Sequence, residues 1–348
     1  MRISRTFCVF SVAVALLLVG EAYAGVYIFT THFDNAEMVT HPPGYDGTQE
    51  ELVVSVCIDP ESEARDELVI PLENVIRSWN GLEATTGNRS LPADNNVPSD
   101  HVDVESVLLH EIGHCIGLGH PNLDNMSGVE PNERRFTNSK EGANESWDLD
   151  SGSDGVQGSS QDERGDDVNL HWFAKAHNDP FVVEDVVDLS TYSVHLSDLP
   201  DGHGFAANAN TGVGQLLGKP DTESVMLQGI SPGTATRELA ADDVAMIRLA
   251  STGLDGTQDT DADYEVVLEF VGEDDSCDIS VEMGEYAFAY CSASGAPIEG
   301  SDHFAITQAT IHLGPQSTFN WFFNDESNEE SDDNDCDPDA IFCDNFED

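Results

Sequence analysis

Apolar and polar positions along this chain repeat with the two periods that separate strands from helices. Residues 25–33 (GVYIFTTHF) and 51–58 (ELVVSVCI) are rich in Val, Ile and aromatic side chains, which predicts strands. From Pro71 onward, Leu72, Val75, Ile76 and Trp79 recur at i, i+3, i+4 and i+7, one face of a helix that Asn80-Gly81 would end. A polar link over 83–100 leads to a second helix, expected from Val104 with Asp103 as its N-cap. Residues 121–166 are rich in Asn, Asp, Ser and Gly and read as a long surface loop. Alternation returns at Val168, Leu170 and Trp172, and again at Tyr192, Val194 and Leu196. A last helix is expected over 240–250, carrying Val244, Ile247 and Leu249.

After a Gly/Asp/Thr linker from Thr252 to Asp263, Tyr264, Val266, Leu268 and Phe270 alternate with Glu265 and Glu269. Further strand-like runs fall at 277–283, 286–292, 303–313 and 317–323, a spacing that suggests a small β-sandwich. The pattern as a whole predicts an α+β fold. Its expected main domain covers 25–251, with an insertion over 121–220, followed by a sandwich-like accessory domain at 252–325 and an acidic tail at 326–348.

Three features of composition change this picture. Arg2 and Arg5, the apolar run Phe7–Val19 and the small-x-small Ala22-Tyr23-Ala24 form an export signal over 1–24, so a secreted or periplasmic protein is expected. No other long apolar stretch predicts a membrane span. Export places Cys57, Cys115, Cys277, Cys291, Cys336 and Cys343 in an oxidising compartment, where disulfides form. Proximity in sequence favours Cys277–Cys291 and Cys336–Cys343, which leaves Cys57–Cys115. Finally, 67 acidic residues against 13 basic ones give a net charge of −54. That excludes nucleic-acid phosphates and anionic lipid as default partners. Screening by salt or bound Ca²⁺ would each relieve the self-repulsion, and Asp-rich stretches at 149–167, 255–263 and 331–339 are available for calcium.

One segment carries chemistry: His110-Glu111-Ile112-Gly113-His114-Cys115-Ile116-Gly117-Leu118-Gly119-His120. On a helix His110 and His114 lie one turn apart on one face, so both imidazoles can meet a single cation. Glu111 sits beside them. Gly117 allows the positive φ with which the chain can leave the helix and return a third imidazole, His120. Three neutral imidazoles on Zn²⁺ leave a fourth position open, the mark of a catalytic site. Leu108, Ile112 and Cys115 are expected to pack away from the ligands.

HEIGHCIGLGH resembles the zinc motif of metzincin metallopeptidases, most closely the matrixin branch, where HELGHxLGLGH is usual. The resemblance implies that His110, His114 and His120 bind zinc and that Glu111 is the general base. It also implies a methionine turn under the metal. Met226, in ESVMLQGISPGTATRELAADDVAMIRLA, resembles that turn and the Leu-x-x-Asp-Asp-Val helix after it better than Met126, which has polar surroundings. The implied activity is zinc-dependent endopeptidase hydrolysis of a protein or peptide substrate. A rival from another class is an adhesion or binding protein that keeps zinc without turnover, although an intact Glu111 is then unneeded. The chain departs from matrixins in the short polar link before its zinc helix, where most of their sheet lies. Residues 167–215 are therefore expected to supply missing strands, one of them the edge for a substrate backbone. His171 and His195, on those strands, read first as surface or core residues, with a place lining the cleft as the alternative. No cysteine-switch propeptide is present.

Overall fold

The computed structural model describes residues 25–30, 35, 37–120, 172–177, 179–195, 198, 211, 214, 218–227 and 229–328. The expected signal segment, the loop at 121–166, Met126, His171, Cys336 and Cys343 lie outside them. In chain order the elements are β1 (Val39–His41), β2 (Glu51–Ile58), α1 (Arg65–Gly81), β3 (Arg89–Ser90), β4 (Val102–Asp103) and α2 (Val104–Cys115). There follow β5 (Phe173–Ala174), β6 (Tyr192–Ser193), β7 (Ala235–Thr236), α3 (Ala241–Ser251), β8 (Glu265–Glu273), β9 (Ile279–Met283), β10 (Tyr290–Pro297), β11 (His303–Leu313) and β12 (Trp321–Phe322). No described helix is long and apolar enough to cross a membrane.

The architecture is mixed α/β around a largely parallel sheet. β2 lies between β8 and β9, and β9 joins β11. β1 pairs in parallel with the start of β11, on the same side as β9. β10 takes the other side of β11 and is the one antiparallel member. Along β2 the buried Leu52, Val54 and Val56 alternate with more exposed residues, the period-2 pattern of a strand with one packed face. Against the sheet lie the helices. α1 buries Leu68, Leu72, Val75, Ile76 and Trp79 and packs on β8 and β2, while α2 packs on β10 and β11.

This arrangement overturns the expected domain boundary at 251/252. Residues 265–313 form no separate sandwich; their strands are the sheet of the main domain. Val266, Leu268, Ile279, Val281, Ile311 and Leu313 share one core with Leu72 and Leu108. Alternation identifies each strand but not its neighbour, so strands 200 residues apart in sequence read as unrelated. Nor do the described residues of 167–215 fill the sheet. β5 and β6 pair only with each other, in a two-stranded ribbon.

The disulfides also differ from the short-range expectation. Cys57 bonds Cys277 and Cys115 bonds Cys291. The reason is topological: β11 separates β9 from β10, whereas Cys57 on β2 faces the approach to β9. Other boundaries shift less. α1 begins at Arg65, ahead of Pro71, because Leu68 extends its buried stripe. Of the strand expected over 25–33, residues 26–28 make only a bridge to Gly117–Gly119. The expected tail is packed at its start. Just before it β12 pairs with β4, and within it the Glu326 carbonyl and Asn328 N–H bond the Asn74 side chain at 2.9 and 3.0 Å.

Candidate metal centre

α2 is fixed at both ends. At its start the Asp103 carboxylate accepts from Ser106 N at 3.2 Å and Ser106 Oγ at 2.6 Å, the N-cap expected from sequence. Arg237 donates to both oxygens of this buried carboxylate, at 2.9 and 2.8 Å. At the other end Gly117 N bonds His114 O at 3.0 Å and Leu118 N bonds Gly113 O at 2.9 Å, closing a Schellman turn. Gly117 has φ 118°, and a Cβ there would lie 2.6 Å from the Thr40 carbonyl. Only glycine fits, and the chain it turns back brings His120 to the helix.

The three histidines meet. His120 Nε2 lies 3.0 Å from His110 Nε2 and 3.0 Å from His114 Nε2. His110 Nδ1 donates to the Val225 carbonyl at 2.7 Å, and His114 Nδ1 donates to the Leu118 carbonyl at 2.8 Å. Those carbonyls fix the tautomers and leave Nε2 lone pairs facing one another. Burial lowers the pKa of His110 to about 4. That of His114 falls to about 3, through burial and then the neighbouring His110. Burial, followed by His114 and His110, also holds His120 well below the usual histidine value. Three converging neutral nitrogens repel unless a cation lies between them. Tetrahedral ligation at 2.0–2.1 Å puts ligand nitrogens about 3.3 Å apart, close to what is seen. The donor set thus fits a transition-metal ion. Among the described residues this is the only group of three or more His, Cys, Asp or Glu side chains able to share a metal. The Asp-rich stretch 255–263 brings no such set together, and the other two stretches lie outside the described residues.

Glu111 follows the first histidine of the triad and is 5% exposed. Burial raises its pKa to about 8, offset in part by the backbone N–H of Cys291. Its Oε2 has no hydrogen-bond partner among the described residues.

Met226 lies directly beneath α2. A Cβ on Gly113 would come within 2.3 Å of Met226 Sδ and 3.1 Å of Trp79 Cζ2, so the close approach needs glycine. The turn is held by Asp243 of α3. Its carboxylate accepts from Ser224 Oγ at 2.7 Å, Val225 N at 2.9 Å and Met226 N at 3.2 Å. Val225 then orients His110 through its carbonyl, so Asp243 acts on this imidazole through one peptide unit.

Sequence reasoning missed Val225, Asp243 and Cys291 as parts of the site. The Asp242-Asp243 pair at a helix start was the available signal for Asp243; backbone groups of Val225 and Cys291 leave none. His195 is not brought to the triad. It pairs with Glu37 at 3.2 Å on the wall of a separate cavity of about 430 Å³, lined also by Trp172 and His303. Comparison of the chain with protein-family models, with curated proteins and with solved structures finds no match in any of the three.

Proposed function

We propose that this chain is a zinc-dependent endopeptidase of the metzincin type, closest to the matrixins. The observation that carries the reading is the convergence of His110, His114 and His120 at 3.0 Å with Glu111 alongside. The methionine packed under α2 at Gly113 supports it independently, because nothing in the HEIGHCIGLGH segment demands a partner over 100 residues away. So does the sheet. The strands missing from the link between α1 and α2 are supplied after α3, by β8 to β11. The segments change their order along the chain while the sheet and the two helices keep a common core.

Zinc held by the three imidazoles would act as a Lewis acid on the scissile carbonyl and lower the pKa of water toward about 7. The chain's own residues do the rest. Glu111 takes a proton from the attacking water at its free Oε2 and returns it to the leaving amine nitrogen as the C–N bond breaks. Val225 and Leu118 keep two imidazoles in the tautomer that ligates. β10 offers a substrate backbone an edge: one side pairs β11, and no described strand pairs the other. An extended peptide would add there as a further strand. On this reading the substrate edge is β10 rather than a strand of 167–215. The two disulfides are compatible with an oxidising compartment, and export by the N-terminal segment is part of the proposal.

Substituting Glu111→Gln tests the assignment. The variant should keep one zinc per chain and lose nearly all hydrolysis of a quenched fluorogenic peptide. Substantial residual turnover removes Glu111 from the role of base. Zinc binding with no turnover even in the wild type favours the rival, a silent binding protein.

A further inference from the structure

Glu111 and Cys115 are one helical turn apart on α2, so they share a face. That face meets β10. Cys115 is covalently bonded to Cys291, 176 residues away, with 5.8 Å between their Cα atoms, which brings the Cys291 backbone to the helix face that carries Glu111; the N–H of Cys291 offsets part of the burial of that carboxylate. β10 is otherwise weakly held. It is the outermost strand, its register with β11 slips between Ser294 and Gly295, and Ser294 to Pro297 are exposed. A strand of this kind does not fix a backbone N–H against a buried carboxylate by pairing alone.

We propose that Cys291 is a positioning residue for the base, and that the Cys115–Cys291 bond clamps β10 to α2 so that one Glu111 oxygen is anchored and Oε2 is left aimed into the site. The proposal rests on Glu111 being the base of the peptidase reaction. It differs from an ordinary stabilising cross-link in what it fixes. Cys57–Cys277 closes an even longer stretch of chain, 220 residues, yet its sulfurs lie between β2 and β9. Both bonds restrict the unfolded chain, and only one joins the helix that carries the base. The clamp also joins the site to the open substrate edge, because the residues after Cys291 run along it. Losing the bond should therefore disturb the chemical step more than ligand binding at zinc.

The test compares two double variants, each loaded with zinc. Cys115→Ala/Cys291→Ala should keep one zinc per chain while kcat falls at least tenfold and KM changes less than threefold. Cys57→Ala/Cys277→Ala should keep kcat within twofold. A wild-type kcat in the first variant, or equal losses in both, overturns the proposal. A second measurement holds even if the clamp variant does not fold or the wild type proves not to cleave peptides. Amide hydrogen exchange at Cys291 should be at least tenfold faster in Glu111→Ala than in the wild type, with protection restored in Glu111→Gln, which keeps an acceptor. Equal exchange in wild type and Glu111→Ala contradicts the contact itself. Absence of chelator-sensitive hydrolysis in the wild type, with the exchange result intact, counts against the peptidase reading and not against the clamp.

Discussion

At Gly113 the absence of one carbon atom lets two distant parts of the chain meet. A Cβ would press 2.3 Å from Met226 Sδ, far inside van der Waals contact. Gly113→Ala should therefore lower unfolding stability by about 1–3 kcal/mol, as overpacking does, despite alanine's better helix propensity. Urea unfolding measures this, and adding Met226→Ala should recover part of the loss. Full additivity would mean that the two residues do not touch. His114→Ala is expected to bind no zinc, since two imidazoles remain and Leu118 loses its partner. Metal analysis after dialysis reads the result directly. Residues of this kind were legible to different degrees. The three histidines and Glu111 fall within eleven consecutive positions, where one helix and its glycine stop dictate how they project. The Cys291 N–H belongs to no residue type, so no pattern in sequence announces it.

Elements were read well where their stabilisation is local. α2 carries its own N-cap, Asp103, and its own glycine stop, Gly117, and both act as their types suggest. What the pattern could not show is that Asp103 also takes Arg237, a residue 134 positions away, through two hydrogen bonds. Asp103→Ala should consequently cost about 2–4 kcal/mol, more than a cap alone, because a half-buried guanidinium loses both hydrogen bonds and keeps only Glu105 at 3.8 Å. Denaturant titration checks this. A loss near 1 kcal/mol would mean that only the cap matters. The strands show the opposite case. β8, β9 and β11 have clear alternation, yet alternation has the same form in a sandwich and in a sheet shared with β2. The disulfides failed for a related reason. Short separation makes Cys277–Cys291 cheap in loop entropy, but β11 stands between their strands.

For the whole molecule, the sheet draws β1 and β2 from before α2 and β8 to β11 from after α3. A chain ending at Ser251 would leave both edges of β2 unpaired and the core without Ile279, Val281 and Ile311. Such a fragment should show no cooperative thermal transition by circular dichroism; a cooperative one would restore the two-domain organisation that alternation suggested. Acidity has a second consequence inside the fold. Burial, then the neighbouring Asp243, raises the pKa of Asp242 from 3.8 to about 8. A raised carboxyl pKa means that the folded state holds a proton which the unfolded chain releases. The stability it confers is complete below the unfolded value and is lost as pH rises through about 8. Melting temperature should fall as pH rises from about 4 to about 8 and level off above, and Asp242→Asn should flatten that fall. An unchanged slope in the variant would locate the loss elsewhere.

The most direct test of the account is digestion of casein by the purified chain before and after treatment with a zinc chelator, followed by re-addition of zinc. Cleavage that stops on chelation, returns with about one equivalent of zinc and fails in His110→Ala is the predicted result. Material that carries no transition metal, or cleavage that survives both the chelator and His110→Ala, would contradict it.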